Sequence, residues 1–74
     1  MDEQMTKGDN MSMVSLRKAR ANAGLTIVEA SKRLGIAPNT LSNYERGESF
    51  PDVPMIKKIE DLYGVEYKHI FFEV

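Results

Sequence analysis

A cluster of side chains near the middle of the chain carries hydrogen-bonding groups but no charge. The cluster consists of Asn39, Thr40, Ser42 and Asn43. If this segment is helical, Leu41 and Tyr44 face inward and the four polar side chains face outward. Amides and hydroxyls can bond to base edges, and asparagine in particular pairs with N6 and N7 of adenine in the major groove. An ordinary polar helix explains the same pattern, so both interpretations stay open at this point.

Other kinds of site are poorly supported by the residue types. His69 is the single histidine and the chain has no cysteine. The acidic residues Asp52, Glu60 and Asp61 show no paired arrangement with a nucleophile. No phosphate-binding glycine loop and no metal-ligand spacing occurs. We therefore expect no catalytic residue, no metal, no cofactor and no small-molecule ligand.

The length and composition predict one small domain. A chain of 74 residues buries only roughly 60% of the surface that its unfolded form exposes. No apolar run reaches the roughly 18 to 20 residues that span a bilayer, and the polar N-terminus lacks a signal-peptide core. The absence of cysteine is typical of a reducing compartment. We expect a cytoplasmic protein with no membrane partner.

The charge distribution is uneven. The net charge is −1, which by itself argues against a nucleic-acid partner, because phosphate neutralisation drives much of that binding. Residues 11–47, however, carry a net charge of +4, against −2 for residues 1–10 and −3 for residues 48–74. A basic face around the polar cluster is therefore plausible.

The apolar spacing predicts five helices that support this cluster, in an all-α domain. Residues 1–11 have no periodicity and are expected to form a flexible N-terminal tail, and residues 12–74 form the domain. The first helix is expected from a Ser12 cap to about Ala23, with Arg20 in its apolar stripe. A buried arginine needs a carboxylate partner.

The later helices have clearer boundaries. Thr26 and Glu29 form a capping-box pattern for the second helix, which Gly35 ends. The third helix runs from Pro38 to Gly47, and the fourth from an Asp52 cap to Gly64. A last short helix is predicted to turn three side chains inward, namely Tyr67, Ile70 and Phe71.

The ordered motifs resemble the Cro/CI (Xre-type) helix-turn-helix family of phage and bacterial transcriptional regulators. The matching elements are Leu16 with Arg20, Gly24-Leu25-Thr26, Leu34-Gly35-Ile36, Glu45-Arg46-Gly47, Pro51 and Gly64-Val65. The resemblance covers about residues 13–71 and implies a compact, five-helix, lambda-repressor-like fold. The helix-turn-helix would then comprise the second and third helices.

The resemblance also implies roles for individual residues. Arg20 and Glu45 are expected to form a structural ion pair. Base contacts are expected from Pro38, Asn39, Ser42 and Asn43. Phosphate contacts are expected from Thr26, Ile27, Thr40, Arg46 and Ser49. The chain departs from the family pattern at Ile27, where glutamine is common, at Ala37, where a Ser or Thr cap is usual, and at Glu60, where alanine is frequent.

The resemblance implies a DNA-binding transcriptional regulator, expected to be a repressor that acts as a homodimer on a palindromic operator in double-stranded DNA. The expected dimer surface consists of Phe71, Phe72 and Val74. The alternative is a protein-interaction module of the same fold, such as an antitoxin or an antirepressor partner, with little DNA binding. The acidic C-terminal section and Ile27 favour this alternative.

Overall fold

The computed structural model describes residues 13–71. Its elements in chain order are β1 (Val14–Ser15), α1 (Leu16–Asn22), α2 (Ile27–Leu34), α3 (Pro38–Glu45), α4 (Val53–Tyr63), a 3-10 helix (Tyr67–His69) and β2 (Ile70–Phe71). The expected flexible tail, residues 1–11, lies outside the described residues, as do Ser12, Phe72 and Val74.

Helix α1 begins later than the sequence pattern suggested. Ser15, rather than Ser12, is its N-cap, and the Ser15 hydroxyl accepts a hydrogen bond from the Lys18 N–H at 3.0 Å. The prediction of helix from Ser12 onward was wrong, because Val14 and Ser15 are extended and pair with β2. The C-terminal end agrees with the prediction, since Gly24 follows the helix with a positive φ of 77°.

The α2–turn–α3 unit forms from local signals. Thr26 and Glu29 make both bonds of the capping box, which satisfies two backbone N–H groups at the start of α2. Gly35 ends the helix in the left-handed conformation with φ 75°. Ser31 is buried, and its hydroxyl donates to the Val28 carbonyl at 3.1 Å. A side chain this small allows α2 to pack closely against α3.

Helix α4 completes the core. The Asp52 carboxylate accepts from the Met55 N–H at 3.0 Å, and Gly64 ends the helix with φ 70°. Both boundaries were predicted. The buried hydrophobic residues of the core come from all four helices and from β2: Leu16, Ala19, Ala30, Leu34, Leu41, Ile59, Tyr63 and Ile70.

The prediction of an all-α domain is confirmed in part, because the described residues are mostly helical, but the predicted count of five helices was wrong. Residues 13–71 contain four α-helices, and the expected fifth is a three-residue 3-10 helix followed by β2. Strand β2 runs parallel to β1, with Val14 opposite Ile70 and Ser15 opposite Phe71. Apolar β-branched and aromatic residues suit such pairing, whereas so short a segment gains little from helix cooperativity.

The last segment is also held by α4. The Glu60 carboxylate accepts from the Tyr67 N–H at 2.8 Å, which anchors the start of the 3-10 helix. Ile70 is buried as expected, but Phe71 is 44% exposed rather than turned inward. Within residues 13–71, no helix has the length and apolar character needed to cross a membrane.

Candidate nucleic-acid interface

Helix α3 has a buried side and a polar side. Leu41 is completely enclosed and Glu45 is 9% exposed, so this side faces the core. Pro38 and Asn39 are exposed at the N-terminal end, while Ser42 and Asn43 are half-buried. The polar cluster predicted from the sequence therefore lies on one helix, away from its buried stripe.

Arg20 and Glu45 pair through two hydrogen bonds. Arg20 Nε donates to Glu45 Oε2 at 2.7 Å, and Arg20 Nη2 donates to Glu45 Oε1 at 3.2 Å. Arg20 Nη1 also donates to the Leu25 carbonyl at 2.9 Å. The carboxylate bond is the main cause of a raised pKa of the Arg20 guanidinium, which desolvation partly opposes. The pair links α1, the loop after it and the end of α3.

Tyr63 brings an unpaired hydroxyl into this environment. Its oxygen is buried and has no hydrogen-bond partner within residues 13–71. Burial raises the pKa of Tyr63 to about 12, with a smaller contribution from the negative charge of Glu45, and Arg20 opposes both effects. The neutral phenol is therefore stabilised over the phenolate.

A second arginine lies on the polar side of α3. Arg46 Nη1 donates to Ser42 Oγ at 2.9 Å, and Arg46 Nη2 donates to Asn43 Oδ1 at 2.8 Å. Arg46 Nε and Nη2 also contact the two oxygens of the Glu48 carboxylate at 3.4 and 3.3 Å. Arg46 and Glu48 are more than half exposed. The structure thus joins an expected phosphate contact to two expected base contacts.

The other expected phosphate contacts lie at different places. Thr26 is exposed at the start of α2, where N–H groups and the helix dipole favour an anion. Thr40 on α3 and Ser49 in the following loop are half-buried. Ile27 packs against the hydrophobic core. Its side chain is therefore a poor phosphate contact, and only its backbone N–H remains suitable.

Of the three expected dimer residues, the structure describes Phe71, which lies on β2 and is partly exposed. Phe72 and Val74 fall outside the described residues. No group of three His, Asp or Glu side chains within residues 13–71 could hold a metal ion.

The sequence model of the helix-turn-helix family matches residues 16–70, which include all four helices. The chain belongs to the Cro/CI-type helix-turn-helix family. A curated relative, the HTH-type transcriptional regulator ImmR of Bacillus subtilis (strain 168), is 42% identical over 55 residues. That alignment covers 74% of this chain and 43% of the relative, so this chain spans less than half of the relative's length. No solved structure matches the chain significantly.

The matched residues include α2 and α3, the two helices that the resemblance predicts to form the helix-turn-helix. Several contacts of the site were missed from the sequence. The Leu25 carbonyl is a second partner of Arg20, and Glu48 is a partner of Arg46. The contacts of Arg46 to Ser42 and Asn43 were also missed, although residues three and four apart on a helix are natural neighbours.

Proposed function

We propose that this protein is a sequence-specific DNA-binding transcriptional regulator. The observation that carries the proposal is the uncharged polar face of α3, which is backed by the buried Arg20–Glu45 pair and edged by Arg46. Family membership and the regulator name of the relative support it. The basic character of residues 11–47 supplies the electrostatic attraction that a duplex requires.

The proposed base contacts are Pro38, Asn39, Ser42 and Asn43, all on α3. The proposed phosphate contacts are Thr26, the backbone of Ile27, Thr40, Arg46 and Ser49. These two sets have different consequences, because base contacts determine sequence preference whereas phosphate contacts determine position and salt dependence. The positive charge of Arg46 suits a phosphate contact, and its hydrogen bonds join it to two of the proposed base contacts, Ser42 and Asn43.

We further propose a repressor that binds a palindromic operator as a homodimer and occludes the promoter. One domain of this size contacts few base pairs. The two recognition helices of a dimer would contact half-sites about one helical turn apart. The proposed dimer surface includes Phe71, whose ring is partly exposed beside β1, together with Phe72 and Val74.

A protein-interaction module of the same fold is the second candidate. Two observations favour it. Ile27 packs against the core at a position where the family often has glutamine, and the carboxylate of Glu48 lies beside Arg46 at the edge of the polar face. A module of this kind would bind another protein through α3 and would show little affinity for DNA.

Selection of bound sequences from a random duplex pool separates the two candidates. A DNA reader should enrich a symmetric motif, and its affinity should fall steeply as salt rises. Asn39→Ala should weaken binding to the selected motif more than to mixed duplexes, while Lys57→Gln on α4 serves as a surface control. Failure to enrich any motif, together with salt-independent background binding, would leave the interaction module as the better account.

A further inference from the structure

The hydrogen bonds of Arg46 determine which polar atoms of α3 remain available to a ligand. A guanidinium group has five N–H donors and no acceptor. The Asn43 atom at 2.8 Å from Arg46 Nη2 must therefore be the amide oxygen, and the Ser42 hydroxyl at 2.9 Å from Nη1 must accept. The oxygens of both side chains are already engaged by Arg46.

Each oxygen faces Arg46 and keeps only one of its two acceptor sites, whereas all the donors of both side chains stay available. The Asn43 Nδ2 group keeps two N–H donors, and Ser42 keeps its O–H donor. Asn39 differs, because none of the hydrogen bonds within residues 13–71 involves its exposed side chain. Asn39 therefore keeps both the donor and the acceptor that a bidentate bond to adenine requires.

Base edges in the major groove differ in the groups that they present. Guanine offers two acceptors, O6 and N7, whereas thymine offers the single acceptor O4 beside a methyl group. Adenine pairs its N7 acceptor with an N6 donor, and cytosine presents only the N4 donor. A pair of side chains whose unengaged groups are mainly donors matches guanine best and cytosine least.

We propose that Arg46 is a positioning residue for sequence readout, which holds Ser42 and Asn43 as hydrogen-bond donors so that they select guanine. This inference rests on the proposed function. The Glu48 carboxylate contributes by contacting Nε and Nη2 of the same guanidinium, whose Nη1 and Nη2 also reach Ser42 and Asn43. Arg46 is thus more than a phosphate contact.

Duplex selection with an arginine-to-lysine variant tests the proposal. Arg46→Lys keeps the positive charge but loses the planar fork that engages Ser42, Asn43 and Glu48 together. The half-site position that Asn43 reads is the one at which Asn43→Ala abolishes the base preference. At this position the unmodified protein should prefer guanine by at least about fivefold. In Arg46→Lys this position should accept adenine as well as guanine, while the position affected by Asn39→Ala should keep its preference.

Asn43→Asp provides a second variant with an opposite expectation. Its carboxylate still pairs with Arg46 but offers acceptors only, so guanine enrichment at this position should give way to cytosine. Retention of guanine in both Arg46→Lys and Asn43→Asp would overturn the positioning role. A wild-type preference for adenine at the Asn43 position would overturn it too.

The free protein gives a readout that does not depend on DNA. In ¹H–¹⁵N spectra recorded at low temperature, the Arg46 Nη1–H resonances should shift in Ser42→Ala and the Nη2–H resonances in Asn43→Ala, and neither set should shift in Asn39→Ala. An unchanged resonance in the first two variants would show that the network is absent. If the network is present in these spectra but no motif is enriched, the proposed DNA-binding function fails instead, which separates the two results.

Discussion

Arg20 Nε lies 2.7 Å from Glu45 Oε2, on the buried side of α3. The two side chains come from α1 and the last residue of α3, and they are only 13% and 8% exposed. The orientation of the polar face of α3 therefore depends on an ion pair formed on the opposite face of the same helix. This relationship couples the stability of the domain to the geometry of its proposed reading surface.

Breaking this pair on one side should cost more than replacing both partners. Arg20→Met leaves the Glu45 carboxylate buried without its cation and should lower the free energy of unfolding by about 3 kcal/mol. Arg20→Met combined with Glu45→Leu should recover part of that loss. Urea unfolding of both single variants and the double variant gives the coupling energy, and purely additive effects would refute the pair as a stabilising unit.

Removing the Tyr63 hydroxyl should stabilise the protein. The oxygen is buried without a hydrogen-bond partner among the described residues, and such a group costs about 1 to 3 kcal/mol. Tyr63→Phe keeps the ring in the core and should raise the free energy of unfolding at pH 7 by about 1 kcal/mol. A lower stability of Tyr63→Phe would show that the hydroxyl has a favourable partner.

The raised pKa of Tyr63 also predicts an alkaline dependence. An unfolded tyrosine ionises near pH 10, whereas burial holds the folded pKa at about 12. Between pH 10 and 12 the folded state therefore binds more protons than the unfolded state. The contribution of the protonated Tyr63 to the free energy of unfolding is complete below pH 10 and is lost as the pH rises to 12. By linkage, the stability of the wild type relative to Tyr63→Phe should fall by roughly 2 to 3 kcal/mol over that interval.

The start of α3 offers a stabilising substitution. Ala37 occupies the N-cap position with φ −73° and ψ 149° but makes no side-chain cap. Ala37→Ser supplies a hydroxyl that can accept from the N–H of Asn39 or Thr40, and it should raise the free energy of unfolding by about 0.5 to 1 kcal/mol. Ala21→Ser, within the exposed part of α1, is the matched control and should be slightly destabilising in thermal or urea unfolding.

Elements with strong local signals were predictable from the sequence. The capping box of Thr26 and Glu29, the left-handed Gly35 and the Asp52 cap each involve residues a few positions apart, so the pattern contains all the interacting partners. The start of α1 was not predictable in this way. Ser12 and Ser15 are equally suitable caps, and the choice between them follows from pairing of Val14 with Ile70 at the other end of the domain.

The candidate site was predictable as a set of residues but not as a network. The resemblance supplied the Arg20–Glu45 pair, whereas the polar face followed from the residue types and their helical spacing. The contact of Arg46 with Asn43 depends on rotamers and on Glu48, which lies beyond the helix. Sequence spacing allows this contact but does not select it over a solvated arginine.

The attachment of the C-terminal segment should depend on Glu60. Its carboxylate accepts from the Tyr67 N–H at 2.8 Å, and hydrogen bonds to charged groups contribute about 1.5 to 3 kcal/mol. Glu60→Ala should therefore lower the free energy of unfolding by that order and speed hydrogen exchange at residues 67–71. Asp61→Ala, at the exposed neighbouring position of α4, should change neither quantity; equal effects of both substitutions would indicate a general charge effect.

The Glu48 carboxylate should weaken DNA binding by competing with phosphate for Arg46. The two side chains are in contact at 3.3 Å, so a phosphate that binds Arg46 must displace or share this partner. Exposed pairs of this kind contribute up to about 1 kcal/mol, so Glu48→Gln should raise the affinity for mixed duplexes about two- to fivefold at low salt. The gain should shrink as salt rises, because screening weakens both the pair and the phosphate contact.

Glu66→Gln is the matched control, since Glu66 forms a comparable exposed pair with Lys68 at 3.6 Å and its substitution changes the net charge equally. Fluorescence anisotropy over a salt series measures both variants, and an equal gain in the two would assign the effect to net charge rather than to the release of Arg46.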